Sequence, residues 1–214
     1  ALNGLKINQV PEGYNIETIG IDLNDYALSW GYCAVKNDMT TVIANYGQYP
    51  AGSKNVYDSN MGISREEAFT KALITFINQL HTEYPRAIIG VDGNWCTQTV
   101  HQVVKQMSRK GVKCYVLRGQ SYKKYRPLKN NDKRLIGANR NGCHFQKGLK
   151  GFEVPFDSDY WHSQTQASFR IQSPAPASLS IYGDNPKIHG ELADHCTADR
   201  LLAHFVKDGK TYYD

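Results

Sequence analysis

The sequence predicts an α/β domain built on a mixed five-stranded sheet, with helices on both faces and a C-terminal extension. Two apolar, β-branched runs each climb to a carboxylate: Glu17-Thr-Ile-Gly-Ile-Asp22 and, seventy residues later, Arg86-Ala-Ile-Ile-Gly-Val-Asp92. Near-continuous apolar runs of this kind are strands buried on both faces. Three strand-like stretches precede the first helical pattern, and beyond it helix and strand alternate. The expected order is therefore β-β-β-α-β-α-β.

Residues 1–15 read as a lead-in or linker that ends in the turn-like Val10-Pro11-Glu12-Gly13. The first strand is expected over 16–22, and Asn24 and Asp25 turn the chain. A second strand over 26–35 and a third over 40–49 flank the turn residues Lys36-Asn37-Asp38, which makes an antiparallel meander. A loop rich in Gly, Pro, Ser and Asn follows over 49–62. Ser64-Arg-Glu-Glu67 is a capping box, because Glu stands three residues after Ser. The helix behind it runs to residue 81, with Ala68, Phe69, Ala72, Leu73, Phe76, Ile77 and Leu80 on one face. The fourth strand is 86–92. A second helix, 97–109, carries Val100, Val103, Val104 and Met107, and a fifth strand covers 113–117. Further on, 157–170 reads as a helix with an acidic start, Pro174 and Pro176 break the chain, and 191–206 reads as a last helix.

A chain of 214 residues suits one domain, expected over 16–214, and can bury a real core. It contains no apolar run long enough to span a membrane. Residues 1–6 carry neither a signal-peptide pattern nor an initiator Met, as expected of a fragment or a processed chain. The five cysteines are scattered and form no C-x-x-C, so neither a zinc site nor a disulfide framework has support and a reducing cytoplasm is the expected setting. Charge is unevenly spread. Of the chain's 25 Lys and Arg, fourteen lie between Lys105 and Lys150, where Asp132 is the single acid. An acidic body with a basic central segment fits a polyanion-binding surface over 118–150, and a solvated loop is the alternative. Arg118, Lys123, Lys124, Arg126, Lys129, Lys133 and Arg134 are the expected phosphate contacts. Tyr122 and Tyr125 interleave with them as stacking rings.

The strand order is that of the ribonuclease H-like fold, in which the first and fourth strands lie side by side. Asp22 and Asp92 would then meet. Like charges that close are unfavourable unless a cation sits between them. The expected site is one or two Mg²⁺ or Mn²⁺ ions held by Asp22 and Asp92, oxygen ligands suited to hard cations and to phosphodiester cleavage. Either Asp alone also suits an ordinary strand end.

Short motifs in a set order add to this. Val10-Pro11-x-Gly13 precedes Gly20-Ile-Asp22-Leu-Asn-Asp25-Tyr, and Trp30-Gly31 lies in the second strand. Asp92-Gly93 ends the fourth strand and Leu117-Arg118-Gly119-Gln-Ser121 the fifth, before His189-Gly-Glu-Leu and Cys196-Thr-Ala-Asp199. In these the chain, from about Val10 to Asp214, resembles the C-terminal nuclease domain of the lambda-like large terminase subunit of tailed bacteriophages. The resemblance implies a metal-dependent endonuclease that cuts concatemeric double-stranded DNA in the cytoplasm of a bacterial host. Its implied partners are the terminase ATPase domain, the small terminase subunit and the portal. Asp22 and Asp92 match the family's first two metal-binding acids. No G-x-x-x-x-G-K-[ST] loop is present, so the motor half is expected elsewhere. The family's third acid lies in a helix near the domain's end and has no clear counterpart here. It is expected beyond Asp214; Asp194 and His195 are weaker alternatives, read rather as surface residues of a helix.

Asp25 reads as a turn residue rather than as a support for the metal, and Arg118 with Gly119 as either a DNA contact or a turn. Trp95 and Trp161 are expected to pack, and His101 to be a satisfied helical histidine. Two rivals stand in other classes, and one alternative lies within the nuclease class. An actin-like or sugar-kinase-like ATPase wants Gly soon after the first Asp, and Leu23-Asn24-Asp25-Tyr26 supplies none. A non-catalytic DNA-binding scaffold would lack the metal. A resolvase or transposase would share the chemistry without the Val10-Pro11 lead-in.

Overall fold

The computed structural model describes residues 2–52, 54–148, 151–197, 204–207 and 210–213. In chain order the elements are β1 (Ile16–Leu23), β2 (Leu28–Val35), β3 (Thr41–Tyr49), α1 (Arg65–Glu83), β4 (Ile88–Asp92), α2 (Thr97–Arg109), β5 (Cys114–Gln120), β6 (Leu135–Arg140), β7 (Cys143–Gly148), β8 (Gly151–Asp157), α3 (Ser158–Arg170), β9 (Leu179–Ile181), α4 (Gly190–Thr197), β10 (His204–Lys207) and β11 (Lys210–Tyr213). No helix among the described residues is long and apolar enough to cross a membrane.

The five predicted strands form the middle of the sheet in the order β5-β4-β1-β2-β3. β1, β2 and β3 are antiparallel neighbours, while β4 and β5 run parallel to β1. This is the ribonuclease H-like arrangement. The sheet is larger than the sequence suggested, with nine strands. β8 joins β5 in parallel, β7 and β6 extend that edge as antiparallel neighbours, and β9 lies parallel to β3 at the other edge. The extra strands escaped the sequence because Leu-Ile-Gly-Ala-Asn-Arg and Cys-His-Phe-Gln-Lys-Gly have mixed polarity and glycines, with little apolar alternation to find.

α1 starts as its capping box requires, with Ser64 Oγ accepting the Glu67 N–H at 3.1 Å. Its buried face, Phe69, Leu73, Phe76, Ile77 and Leu80, joins Val100, Val103, Val104 and Met107 of α2. Together they cover Ile19, Ile21 and Leu23 of β1, Ile89 and Val91 of β4, and Val116 of β5. Each such side chain contributes about 1.5–3 kcal/mol on burial. α3 touches β5 and β8 near one edge and β9 at the other. The first face is filled by α1 and α2; the other is more open than expected of strands buried on both faces, with Ile16, Gly20, Asp22 and Ile88 exposed on it.

The last predicted helix is a correction. Helix ends at Thr197, residues 198–203 lie outside the described part, and β10 pairs with β11 as an antiparallel hairpin. Phe205, Val206, Thr211, Tyr212 and Tyr213 are aromatic and β-branched residues that favour strand. At the other end of the chain, Leu2 bridges to Ile181, and Asn8 Oδ1 accepts from Asn45 Nδ2 and from the Tyr84 hydroxyl, each at 2.7 Å.

Candidate active site

Strand register brings the two carboxylates together. Ile21 lies opposite Val91 in the parallel β1–β4 pair, so the next residues, Asp22 and Asp92, stand side by side. Alternation along the strands decides which way they face. Ile21 and Val91 are buried under the helices, while Asp22 is exposed and Asp92 half-buried on the other face. The Asp22 carboxyl is held above its usual range, first by lost hydration and then by the negative charge of Asp92, with the Leu23 backbone N–H pulling the other way.

The turn after β4 supports Asp92, whose Oδ1 accepts the Asn94 N–H at 3.2 Å. Asn94 Nδ2 in turn donates to the Gly119 carbonyl at 3.1 Å, which ties the turn to the end of β5. Sequence reasoning passed over Asn94; the Asp-Gly-Asn run after a strand was the available signal. Gly93 is needed for close approach. A Cβ there would stand 2.4 Å from Val116 Cγ1 and 3.3 Å from Arg118 Cδ.

Asp25 does more than turn the chain, because it pairs with Arg65 at the start of α1. The Arg65 guanidinium lies 4.9 Å above the Trp95 ring, and Trp95 packs edge-on against Phe69 at 5.1 Å. Trp161 packs edge-on against Tyr160 at 5.5 Å. His101 is buried on α2, with Nε2 3.4 Å from Glu153 Oε1.

Among the described residues no group of three His, Cys, Asp or Glu side chains comes together as a metal site. Asp194 lies on α4 and does not join Asp22 and Asp92 in such a group. The His195 side chain, Asp199 and Asp214 lie outside the described residues.

Of the predicted phosphate contacts, Lys123, Lys124, Arg126, Lys129, Lys133 and Arg134 are exposed and Arg118 is half-buried. They are not equally available. Arg134 is clamped by Asp132 through Nε at 3.1 Å and Nη2 at 2.8 Å, which pulls the Asp132 carboxyl down to about 2. Arg126 donates to the Tyr125 carbonyl at 2.8 Å. The proposed stacking rings need correcting. Tyr125 is buried and its hydroxyl meets His144 Nδ1 at 3.1 Å, so it has no face to offer. Tyr122 is half-buried, with Lys123 Nζ 5.5 Å over its ring. The exposed apolar side chains of this region are instead Ile136, Phe145 and Phe152, on strands the sequence did not reveal.

Fold and paired carboxylates together define a ribonuclease H-like domain with an acidic strand-end site. Among solved structures, the chain is similar to the yeast mitochondrial Holliday junction resolvase, at 15% identity and a TM-score of 0.33 over 50% of this chain and 54% of that one. It is also similar to the human cytomegalovirus terminase nuclease domain, at 11% identity and a TM-score of 0.41 over 82% of this chain and 69% of that one. The chain thus spans about half the length of that resolvase. No protein-family model and no curated protein matches it. The fold assignment rests on the strand order itself.

Proposed function

We propose that this chain is a metal-dependent nuclease domain that hydrolyses phosphodiester bonds in double-stranded DNA. The finer reading is the nuclease part of a viral DNA-packaging terminase large subunit, acting on concatemeric DNA in the host cytoplasm with an ATPase domain, a small subunit and a portal as partners. One observation carries the proposal: Asp22 and Asp92 stand side by side at the ends of adjacent parallel strands, close enough for the charge of Asp92 to help raise the Asp22 carboxyl. An all-carboxylate donor set of this kind fits Mg²⁺ or Mn²⁺. When bound, such an ion supplies an activated water and neutralises charge building on the phosphate.

The chain's own part is positional. Asp22 and Asp92 offer the oxygens, and the Asn94 N–H orients Asp92. The exposed cations Lys123, Lys124, Lys129 and Lys133 hold backbone phosphates without reading sequence, with Arg118, Arg126 and Arg134 in support. Two carboxylates suit one hard cation with water completing its shell, so metal binding is expected to be weak and cutting slow. The test is nicking of supercoiled plasmid across a Mn²⁺ series. Asp22→Asn and Asp92→Asn should each abolish nicking, and parent-rate cutting by either variant overturns the assignment.

A further inference from the structure

A cavity of about 700 Å³ lies between α2, the end of β5 and the β6–β8 edge, on the face of the sheet opposite the two carboxylates. Thr97, His101, Arg118, Arg134, Lys147 and Glu153 line it. Two of its lining residues touch the turn that follows Asp92. Thr97 Oγ1 donates to the Gly93 carbonyl at 2.8 Å, and the Arg118 stem lies against Gly93, the residue that follows Asp92. The Glu153 carboxylate is already engaged, by His101 and by Gln146 Nε2 at 3.3 Å. Arg134 is engaged by Asp132. Arg118 and Lys147 have no ion pair among the described residues, and the Arg118 Nε is buried without a hydrogen-bond partner. An unpaired guanidinium beside an unpaired ammonium offers the donors that a phosphate accepts.

We propose that this cavity is a phosphate-binding pocket that takes the terminal phosphate of a single nucleic-acid strand, held by Arg118 and Lys147. The inference rests on the nuclease reading and adds a subsite to it. A space of this volume accommodates a nucleotide but not a duplex, so the group that enters is a strand end. The two cations match the double charge of a terminal phosphate better than the single charge of an internal one.

The experiment measures fluorescence anisotropy of short single-stranded oligonucleotides bearing a 5′-phosphate, a 3′-phosphate or no terminal phosphate. It is run in EDTA, so that Asp22 and Asp92 take no part through metal, and inorganic phosphate is added as competitor. The parent should prefer one phosphate-bearing end by about ten-fold, the size of a lost charge-assisted contact. Arg118→Gln should erase the preference, Arg118→Lys should restore part of it, and Lys147→Gln, at an exposed position, should weaken it. Thermal melts identify any variant that fails to fold, and Lys147→Gln then decides. Equal binding of all three oligonucleotides by the parent, or a preference that survives both neutralisations, overturns the proposal. Competition by inorganic phosphate at the oligonucleotide's own affinity reassigns the pocket to free phosphate and overturns the strand-end reading. Plasmid nicking, measured in parallel, separates the two ideas. Nicking without end preference sinks the pocket alone, and end preference without nicking sinks the nuclease reading.

Discussion

The central sheet and its β6–β8 edge are built by different physics. In the centre, Ile19, Ile21, Ile89, Val91 and Val116 lie at most 2% exposed beneath α1 and α2. At the edge, Ile136, Phe145 and Phe152 are 44%, 41% and 53% exposed, and the strands join the sheet through one ladder, β8 to β5, with β7 paired to β8 and β6 to β7. The centre gains its stability from apolar area, which fixes strand register, since a one-residue slip would turn every buried side chain outward. That rigidity is what sets Asp22 beside Asp92. The edge gives up burial and displays cations and glycines, as suits a surface that grips a polyanion without demanding exact geometry.

The largest expected effect separates chemistry from packing. Asp22→Asn or Asp92→Asn should lower Mn²⁺-dependent nicking by on the order of 10²-fold or more while leaving the fold intact by circular dichroism. A variant that lost both fold and activity would mean that the carboxylates serve the centre's structure instead. Next in size is stability. Leu73→Ala, in a fully buried site, should cost about 2–5 kcal/mol in urea unfolding. Phe145→Ala, on the edge, should cost well under 1.5 kcal/mol. Similar losses at the two positions would erase the proposed contrast between the regions.

The same contrast explains what could be read from the sequence. Buried strands and helices announce themselves by apolar periodicity, so β1, β4, α1, α2 and the Asp22–Asp92 pair were legible from order and spacing alone. α3 was legible too, because Asp157 marks its start; Asp157 Oδ1 accepts the Tyr160 N–H at 3.1 Å. β6 and β7 were not, because strands recruited by pairing to an existing edge need little apolar alternation of their own. The stacking role given to Tyr125 failed for a related reason. Position in a charged run does not reveal that a side chain turns inward, and His144, its partner, lies nineteen residues away. The helix expected over 191–206 failed because helical spacing was extended past Thr197 into Phe205 and Val206, where strand preference and the pairing with β11 prevail.

On the edge itself, charge should matter in proportion to availability. Neutralising Lys123 and Lys124 to Gln should weaken binding to any DNA sequence and reduce the salt slope by roughly one unit per lost phosphate contact. Arg134→Gln should do less, because Asp132 already engages that guanidinium. Slopes measured by anisotropy across a salt series check this ranking; an Arg134 effect as large as that of the lysines would show that DNA pulls it away from Asp132.

The smallest effect lies at the boundary of the two regions and concerns the stability cost of the site. The Asp22 carboxyl titrates above its ordinary value of 3.8 in the folded chain, through lost hydration and the charge of Asp92. The folded state therefore holds this proton more tightly than the unfolded state. Below about pH 3.8 both states are protonated there and the group adds nothing either way. As pH rises from the unfolded value through the folded one, the native protein loses stability, and above that window the loss stays constant. Asp22→Asn has no such charge. In EDTA its melting temperature should exceed the parent's at pH 7, and the gap should close as pH falls below 4. Asp92→Asn should share part of the gain, since it removes the second cause. Mn²⁺ should reverse the order at pH 7, because an ion bound only by the folded parent stabilises it and leaves the variants behind. A parent more stable than Asp22→Asn at pH 7 without metal would mean that the pair is not in repulsion, and the case for a cation between the strands would lose its physical basis.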